Sequence, residues 1–413
     1  MSIDPSTLAA RLKEARAAAG LTQEQVADTL GIPRTAVVQI ESGNRAVSTL
    51  ELDKLAKLYS RPIASFFEPA PAASEEDVLA TLFRAAESVH DHPEWRTDIA
   101  RYIAIFREGV TLERSLERSP HVGPPTYQMA RPQRVMEAVE QGAFVAEQER
   151  RRLGLGHNPI PDISDLINGQ GIWASGAILP DQMSGLFVRH ASIGLCVLVN
   201  YDHARSRKRF SYAHEYAHAI LDREQTATVS LEQNRSDLSE VRANAFAAAF
   251  LIPRTGVWGF LNGRAKAGPS VVEQSVYDPT AEQDGAEVRG QRRASPHSQD
   301  LTYEDVAALA HQYGVSYQAS LFRLKSLAII KAAEFDELRE KESFGKSYLE
   351  LLHSFGNSEQ PQQRKPDREI VSQVLHLALE AYRREGISKG KLRDLSSLLD
   401  VPAQTLLELA EAA

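Results

Sequence analysis

The chain has 413 residues, 43% of them hydrophobic and 25% charged, with a formal net charge of −8 and a single cysteine. This is the composition of a soluble globular protein with room for about two to four domains. The charge confines any nucleic-acid binding to a local surface, the lone Cys196 excludes an internal disulfide, and no apolar run approaches the length of a membrane span. Cys196 sits in an apolar run and reads as core rather than nucleophile. The N-terminus lacks the charged-then-apolar pattern of a secretory signal, so a cytoplasmic protein is expected.

Residues 6–68 read as five short helices. Leu8, Leu12 and Ala15 stripe the first, which stops at Gly20. Thr22 and Gln25 have capping-box spacing and open the second. Gly31, Ile32 and Pro33 make a tight turn, and Pro33 suits the first turn of a third helix ending near Glu41. A polar loop, Ser42 to Arg45, precedes a fourth helix lined by Leu50, Leu52, Leu55 and Leu58, with Phe66 and Phe67 as a closing plug. Helix, short glycine turn, helix is the helix-turn-helix pattern, with a small core of Val26, Ala27, Leu30, Ile32, Val37 and Ile40.

Pro69 to Asp77 reads as a linker. Two helices are expected over 77–118, one striped by Leu79, Leu82 and Phe83, the other by Ile99, Tyr102, Ile103 and Phe106. They suit a helical spacer or dimerising arm, or packing on the following domain. A second linker follows at Ser119. Val135, Val139 and Val145 mark the inner face of a charged helix over 133–152, and another helix starts at Ile160. Gly171–Ser175, Met183–Arg189 and Gly194–Asn200 read as three strands. The strands carrying Gly185 or Val199 are candidate edge strands that can pair with an extended peptide. Tyr201 and His203 are weak candidates for oxyanion support, and Arg205, Arg207, Lys208 and Arg209 form a basic cluster.

The next stretch carries chemistry. His214, Glu215, Tyr216, Ala217 and His218 form an H-E-x-x-H motif within an apolar run free of Gly and Pro. On a helix, residues four apart share a face, so both imidazoles can meet one metal ion with Glu215 beside them. A catalytic zinc takes three protein ligands, which requires a third from elsewhere. Glu240 opens the following helix, capped by Ser236 or Ser239 and ended by Pro253. It is either the third ligand or a solvated carboxylate favoured by the helix dipole. No fourth protein ligand is evident, which argues against a purely structural site. Residues 262–300 carry almost no apolar pattern and read as a disordered insertion. The helix-turn-helix rhythm then returns twice, over 301–324 and 387–406, within an otherwise all-helical C-terminal region.

Two resemblances emerge. Leu21 to Ala27, Gly31 to Pro33 and Ile40 to Arg45 resemble the XRE/Cro/C1-type helix-turn-helix family. This implies an operator on double-stranded DNA, Arg34, Thr35 and Gln39 at base edges, Gln23, Asn44 and Arg45 at phosphates, exposed Val38 near a thymine methyl, and a homodimer. Arg209 to Leu221 followed by Glu240 to Pro253 resembles the ImmA/IrrE zinc metallopeptidases. This implies Zn2+ on His214, His218 and Glu240, Glu215 as the catalytic base, and a regulatory protein substrate, a repressor or antitoxin, cleaved under stress. The competing expectation is a non-proteolytic regulator or antitoxin whose peptidase-like domain senses a ligand or binds a partner. The expected fold is mainly α with a small β-sheet (α+β). Its expected parts are a helix-turn-helix domain (1–68), linker and spacer (69–132), metallopeptidase domain (133–331) and C-terminal helical domain (332–413).

Overall fold

The computed structural model describes residues 5–19, 21–59, 63–66, 94–118, 123–190, 193–223, 227–231, 234, 236–264, 266, 271–278, 286–293, 299–355 and 368–411. The chain divides into two compact units, residues 1–74 and 75–413.

The first unit holds α1 (Pro5–Ala18), α2 (Gln23–Leu30), α3 (Arg34–Glu41), α4 (Thr49–Leu58) and a 3-10 turn at Ile63–Phe66. The capping box forms in both directions: the Gln25 N–H donates to Thr22 Oγ1 at 3.2 Å, and the Thr22 N–H donates to Gln25 Oε1 at 2.8 Å. Gly31 adopts the left-handed conformation (φ 70°), which lets the Ile32 N–H reach back to the Ala27 carbonyl at 3.1 Å. That turn folds α3 across α2 and brings Val26, Leu30, Val37 and Ile40 against Leu12, Leu52, Leu55 and Phe66. Gly20 and Phe67 lie outside the described residues.

The second unit is built on a four-stranded sheet of β1 (Trp173–Ala177), β2 (Met183–His190), β3 (Gly194–Asn200) and β4 (Ala227–Leu231), in the order β1-β3-β2-β4. β1 and β3 are parallel, and the other pairs are antiparallel. Alternation gives the sheet two apolar faces. Phe187, Leu195, Val197 and Val199 join the core around α8 (Arg205–Leu221), α9 (Leu238–Leu251) and α6 (Val135–Arg152). Leu186, Val188, Cys196, Leu198 and Val229 face α5 (Glu94–Ser115) on the other side. The expected edge strands are interior: β2 and β3 lie between neighbours, and the edges are β1 and β4. β4 follows the metal-motif helix and was absent from the sequence reading, although its Thr228 and Val229 carry β-branched propensity.

α6 turns a different face inward from the one its valines suggested. Val145 is buried, but Val135 is 59% exposed. The inner face is small and polar: Ala138, Gln141, Gly142, Ala146, Glu149 and Arg150. Gly142 explains why, since a Cβ there would lie 2.8 Å from the Phe246 backbone nitrogen on α9. At Gly142 the two helices cross too closely for any side chain.

After α7 (Ile163–Asn168) and α10 (Arg254–Gly263), the expected disordered insertion instead contains a hairpin of β5 (Val271–Asp278) and β6 (Ala286–Arg293), paired antiparallel from Val271↔Arg293 to Asp278↔Ala286. A continuous backbone ladder joins the two strands. Beyond it come α11 (Tyr303–Tyr313), α12 (Tyr317–Ser326), α13 (Ala332–Glu340) and α14 (Glu342–Phe355), which close the inner core through Tyr313, Leu321, Phe335 and Leu349. α15 (Arg368–Arg383), α16 (Lys389–Leu398) and α17 (Ala403–Glu411) pack with α5 on the outer face of the sheet.

The spacer helix and the C-terminal helices are therefore structural layers of the second unit. The Ile99, Tyr102, Ile103 and Phe106 stripe is buried as expected, against this unit; Leu79, Leu82 and Phe83 lie outside the described residues. Both later echoes of the helix-turn-helix turn are real in backbone terms. Gly314 (φ 63°) and Asp400 (φ 52°) occupy the Gly31 position, and the Val315 and Val401 N–H groups reach Ala310 and Ser396 carbonyls at 3.0 Å each.

Candidate metal centre and nucleic-acid interface

α8 carries His214 and His218 one turn apart, and α9 delivers Glu240 in its first turn. Asp237, rather than Ser236 or Ser239, opens α9: its carbonyl accepts the Val241 N–H at 2.9 Å. His214 Nε2 lies 3.0 Å from Glu240 Oε2, His218 Nε2 lies 3.3 Å from Glu240 Oε1, and the two Nε2 atoms are 3.2 Å apart. All three residues are buried. Two imidazole nitrogens and a carboxylate oxygen converging this closely form a donor set that can hold a metal ion.

The outward nitrogens are fixed by further partners. The His214 Nδ1–H donates to Asn244 Oδ1 at 3.0 Å, one turn beyond Glu240 on α9. The His218 Nδ1–H donates to Asp222 Oδ2 at 2.9 Å. Asp222 also accepts a hydrogen bond from Arg242, whose other nitrogen reaches Gln141 Oε1 on α6 at 3.3 Å. Such partners set the ring tautomer and aim the ligating nitrogen. Asn244 stands four residues after Glu240, a spacing that puts both on one helical face. Asp222, Arg242 and Gln141 were missed, although Asp222 stands four residues after His218, on the same helical face.

Electrostatics separate the two carboxylates. Burial alone would raise the pKa of Glu240, but His214 and His218 outweigh it and hold the group at about 2. Burial would lower that of His218, yet Asp222, Glu240 and Glu215 keep it at about 10. Glu215 is shifted upward by burial, against the opposing pull of His214, His218 and Ser230. Neither Glu215 oxygen makes a well-formed hydrogen bond among the described residues, although the side chain is fully buried and the Ser230 hydroxyl, itself unpaired, is near enough to act on it. An orphaned buried carboxylate is costly, and it marks a group placed for something the protein itself does not supply. It rests on Gly185 of β2, where an added Cβ would lie 2.7 Å from Glu215 Oε1. Gly185 is paired in register with Ser230 on the edge strand β4.

The other expected residues lie elsewhere. His203 Nε2 is 3.3 Å from the Asp181 carbonyl, and Lys208 covers the Tyr201 ring at 4.1 Å. Arg209 leaves the basic cluster: it is buried, donating to the Pro161 and Ile160 carbonyls at 3.0 and 2.6 Å. Within α8, Tyr216 donates to Glu149, which also accepts from Tyr127 at 2.8 Å and pairs with Arg152 at 2.6 Å. That network anchors the α8 face behind the two histidines.

In the first unit, Arg34, Thr35, Val38 and Gln39 are exposed along one side of α3, and Asn44 is exposed in the following loop. Gln23 and Arg45 are half-buried and already engaged. The Gln23 amide donates to Glu41 at 2.8 Å, beside a bidentate Arg16–Glu41 pair at 2.6 and 3.1 Å. Arg45 donates to Glu51 at 2.8 Å. These bonds hold both side chains at the helix-turn-helix surface.

Residues 179–262 match a peptidase-family model described as an IrrE N-terminal-like domain, and the match runs from β2 into α10 and includes His214, His218 and Glu240. Residues 12–66 match a model described as helix-turn-helix. A search of curated proteins found no match. The chain thus joins an XRE-type helix-turn-helix segment to an IrrE-like segment of the ImmA/IrrE peptidase type.

Proposed function

We propose that the protein is a DNA-binding transcriptional regulator whose second unit is a zinc-dependent endopeptidase that cleaves a regulatory protein, a repressor or antitoxin, in a stress response. The reading rests chiefly on one observation: the buried Glu215 carboxylate, lacking a well-formed hydrogen bond, beside three converging ligand atoms. A site that only held a metal would have no use for it. His214, His218 and Glu240 would hold Zn2+, which when bound acidifies water and polarises a carbonyl. Glu215 would accept the proton of the attacking water and return it to the leaving amine, as general acid–base catalysis requires. Asp222 and Asn244 would keep the two imidazoles aimed, and burial would keep bulk water from competing.

In the first unit, the exposed side of α3 would enter the major groove, with Arg34, Thr35 and Gln39 at base edges. Gln23, Asn44 and Arg45 would hold phosphates, and a homodimer would match a two-fold operator.

Metal content and Glu215→Gln test the peptidase reading together. About one zinc per chain is expected, lost in His214→Ala and Glu240→Ala but kept in Glu215→Gln. A proteome comparison between cells with wild-type protein and with Glu215→Gln should then reveal a protein cleaved only in the former. An identical proteome and phenotype, with zinc retained, would refute proteolysis and favour a sensing or docking role.

A further inference from the structure

We propose a second metal site, for a borderline transition cation such as Zn2+ or Ni2+, between His311 of α11 and His353 of α14. It lies outside the peptidase constellation and does not depend on the proposed peptidase activity.

The geometry carries the argument. Two imidazoles on one tetrahedral zinc, with Zn–N of about 2.0–2.1 Å, hold their ring centres about 5 Å apart. The His311 and His353 rings are 5.1 Å apart and tilted by 43°. The His214 and His218 rings, which belong to the donor set already described, are 4.9 Å apart. The pair therefore has the spacing of a bidentate clamp, supplied by two separate helices.

The electrostatics of the place suit a cation. His311 stands in the last turn of α11 and His353 in the last turn of α14, so the negative ends of two helices converge there. Glu350, one turn before His353, acts on it electrostatically and favours a nearby cation, while the protein donors are the two imidazoles alone. Both histidines are exposed, so water can complete the shell. Burial, His311 and Arg205 all depress the His353 pKa, which favours the neutral, ligating form of the ring. Arg205 also opposes a cation, which sets a weaker affinity than that of the buried set. Imidazoles select zinc, nickel or copper over magnesium and calcium. A bound cation would staple α14 to α11 beside Arg205, the first residue of the helix that carries His214 and His218.

The test is equilibrium dialysis of the full chain against buffered ZnCl2, with metal counted by elemental analysis. Wild-type protein should take up a tight equivalent and a second in the micromolar range. His311→Gln and His353→Gln should each weaken the second about tenfold or more while keeping the first, and retention of the first reports an intact fold. His214→Ala should do the reverse. A single equivalent throughout the micromolar range, or a second one unchanged in both glutamine variants, would overturn the proposal.

Discussion

Asp222→Asn isolates the part of the proposed metal centre that would not touch the metal. The asparagine oxygen can still accept the His218 Nδ1–H, so the ring keeps its place. What is lost is the negative charge that makes the imidazole a stronger donor and balances Arg242. The Asp222–Arg242 pair is nearly dry, with side chains 9% and 5% exposed. Loss of such a supporting partner weakens metal affinity about 10–100-fold, or about 1.4–2.7 kcal/mol. Removing one partner of a buried pair costs up to about 3–5 kcal/mol of stability, and the remaining amide dipole should bring the loss below that range. Zinc affinity is measured by competition with a chromogenic chelator, and stability by urea denaturation of the metal-free protein. Asn244→Ala serves as the neutral comparison, with a smaller effect of about 0.5–1.5 kcal/mol expected from one uncharged hydrogen bond. A Kd for Asp222→Asn within twofold of wild type, with the fold intact, would refute the orienting role.

Gly142→Val should overpack the crossing of α6 with α9, costing about 1–3 kcal/mol, and should shift Glu240 enough to weaken metal binding; thermal denaturation and zinc titration check both. The metal-free cluster should show a defined pH signature. Because the folded His218 pKa is raised to about 10, its stabilising contribution is fully present below about pH 6.5 and is lost as pH rises through 10. Zinc binding near neutrality should accordingly release a proton from His218, read by calorimetry in two buffers of different ionisation enthalpy; equal heats in both would count against it. In the first unit, Glu41→Gln should lower stability by about 1–3 kcal/mol, because it leaves Arg16 without its carboxylate, and should also weaken operator binding by freeing Gln23. Arg34→Ala should relax base preference at one operator position by about 1–3 kcal/mol, scored by selection from random duplexes.

Much of the site was legible because its chemistry obeys local periodicity. His214, His218 and Glu215 follow from one helix, and Thr22, Gln25 and Gly31 announce a capped helix and its turn. What was not legible depends on contacts distant in sequence. The inner face of α6 could not be found by searching for valines, because what packs there is the absence of a side chain at Gly142. The edge of the sheet could not be assigned before β4 was known, since β4 comes after the metal-motif helix yet pairs with a strand that precedes it. The C-terminal helices read as a separate tail because their partners, α5 and the outer face of the sheet, lie on the far side of the peptidase segment. Arg209 looked like part of a charged surface, and only tertiary packing turns it towards carbonyl oxygens.

The outer layer has a consequence for how the protein comes into being. Ile99 and Phe106 near one end of the second unit, and Leu395 and Leu406 near the other, complete a single apolar cluster with Leu186 and Leu198 of the sheet. A ribosome delivers the two ends far apart in time. Until residues beyond 368 emerge, that side of the sheet has only α5 against it, and contacts so distant in sequence form slowly. The half-made unit is the species most exposed to aggregation and proteolysis, and a chain halted before α15 should fail to mature even though His214, His218 and Glu240 have already been synthesised. Completion of the proposed metal centre should in this way wait on α15, α16 and α17.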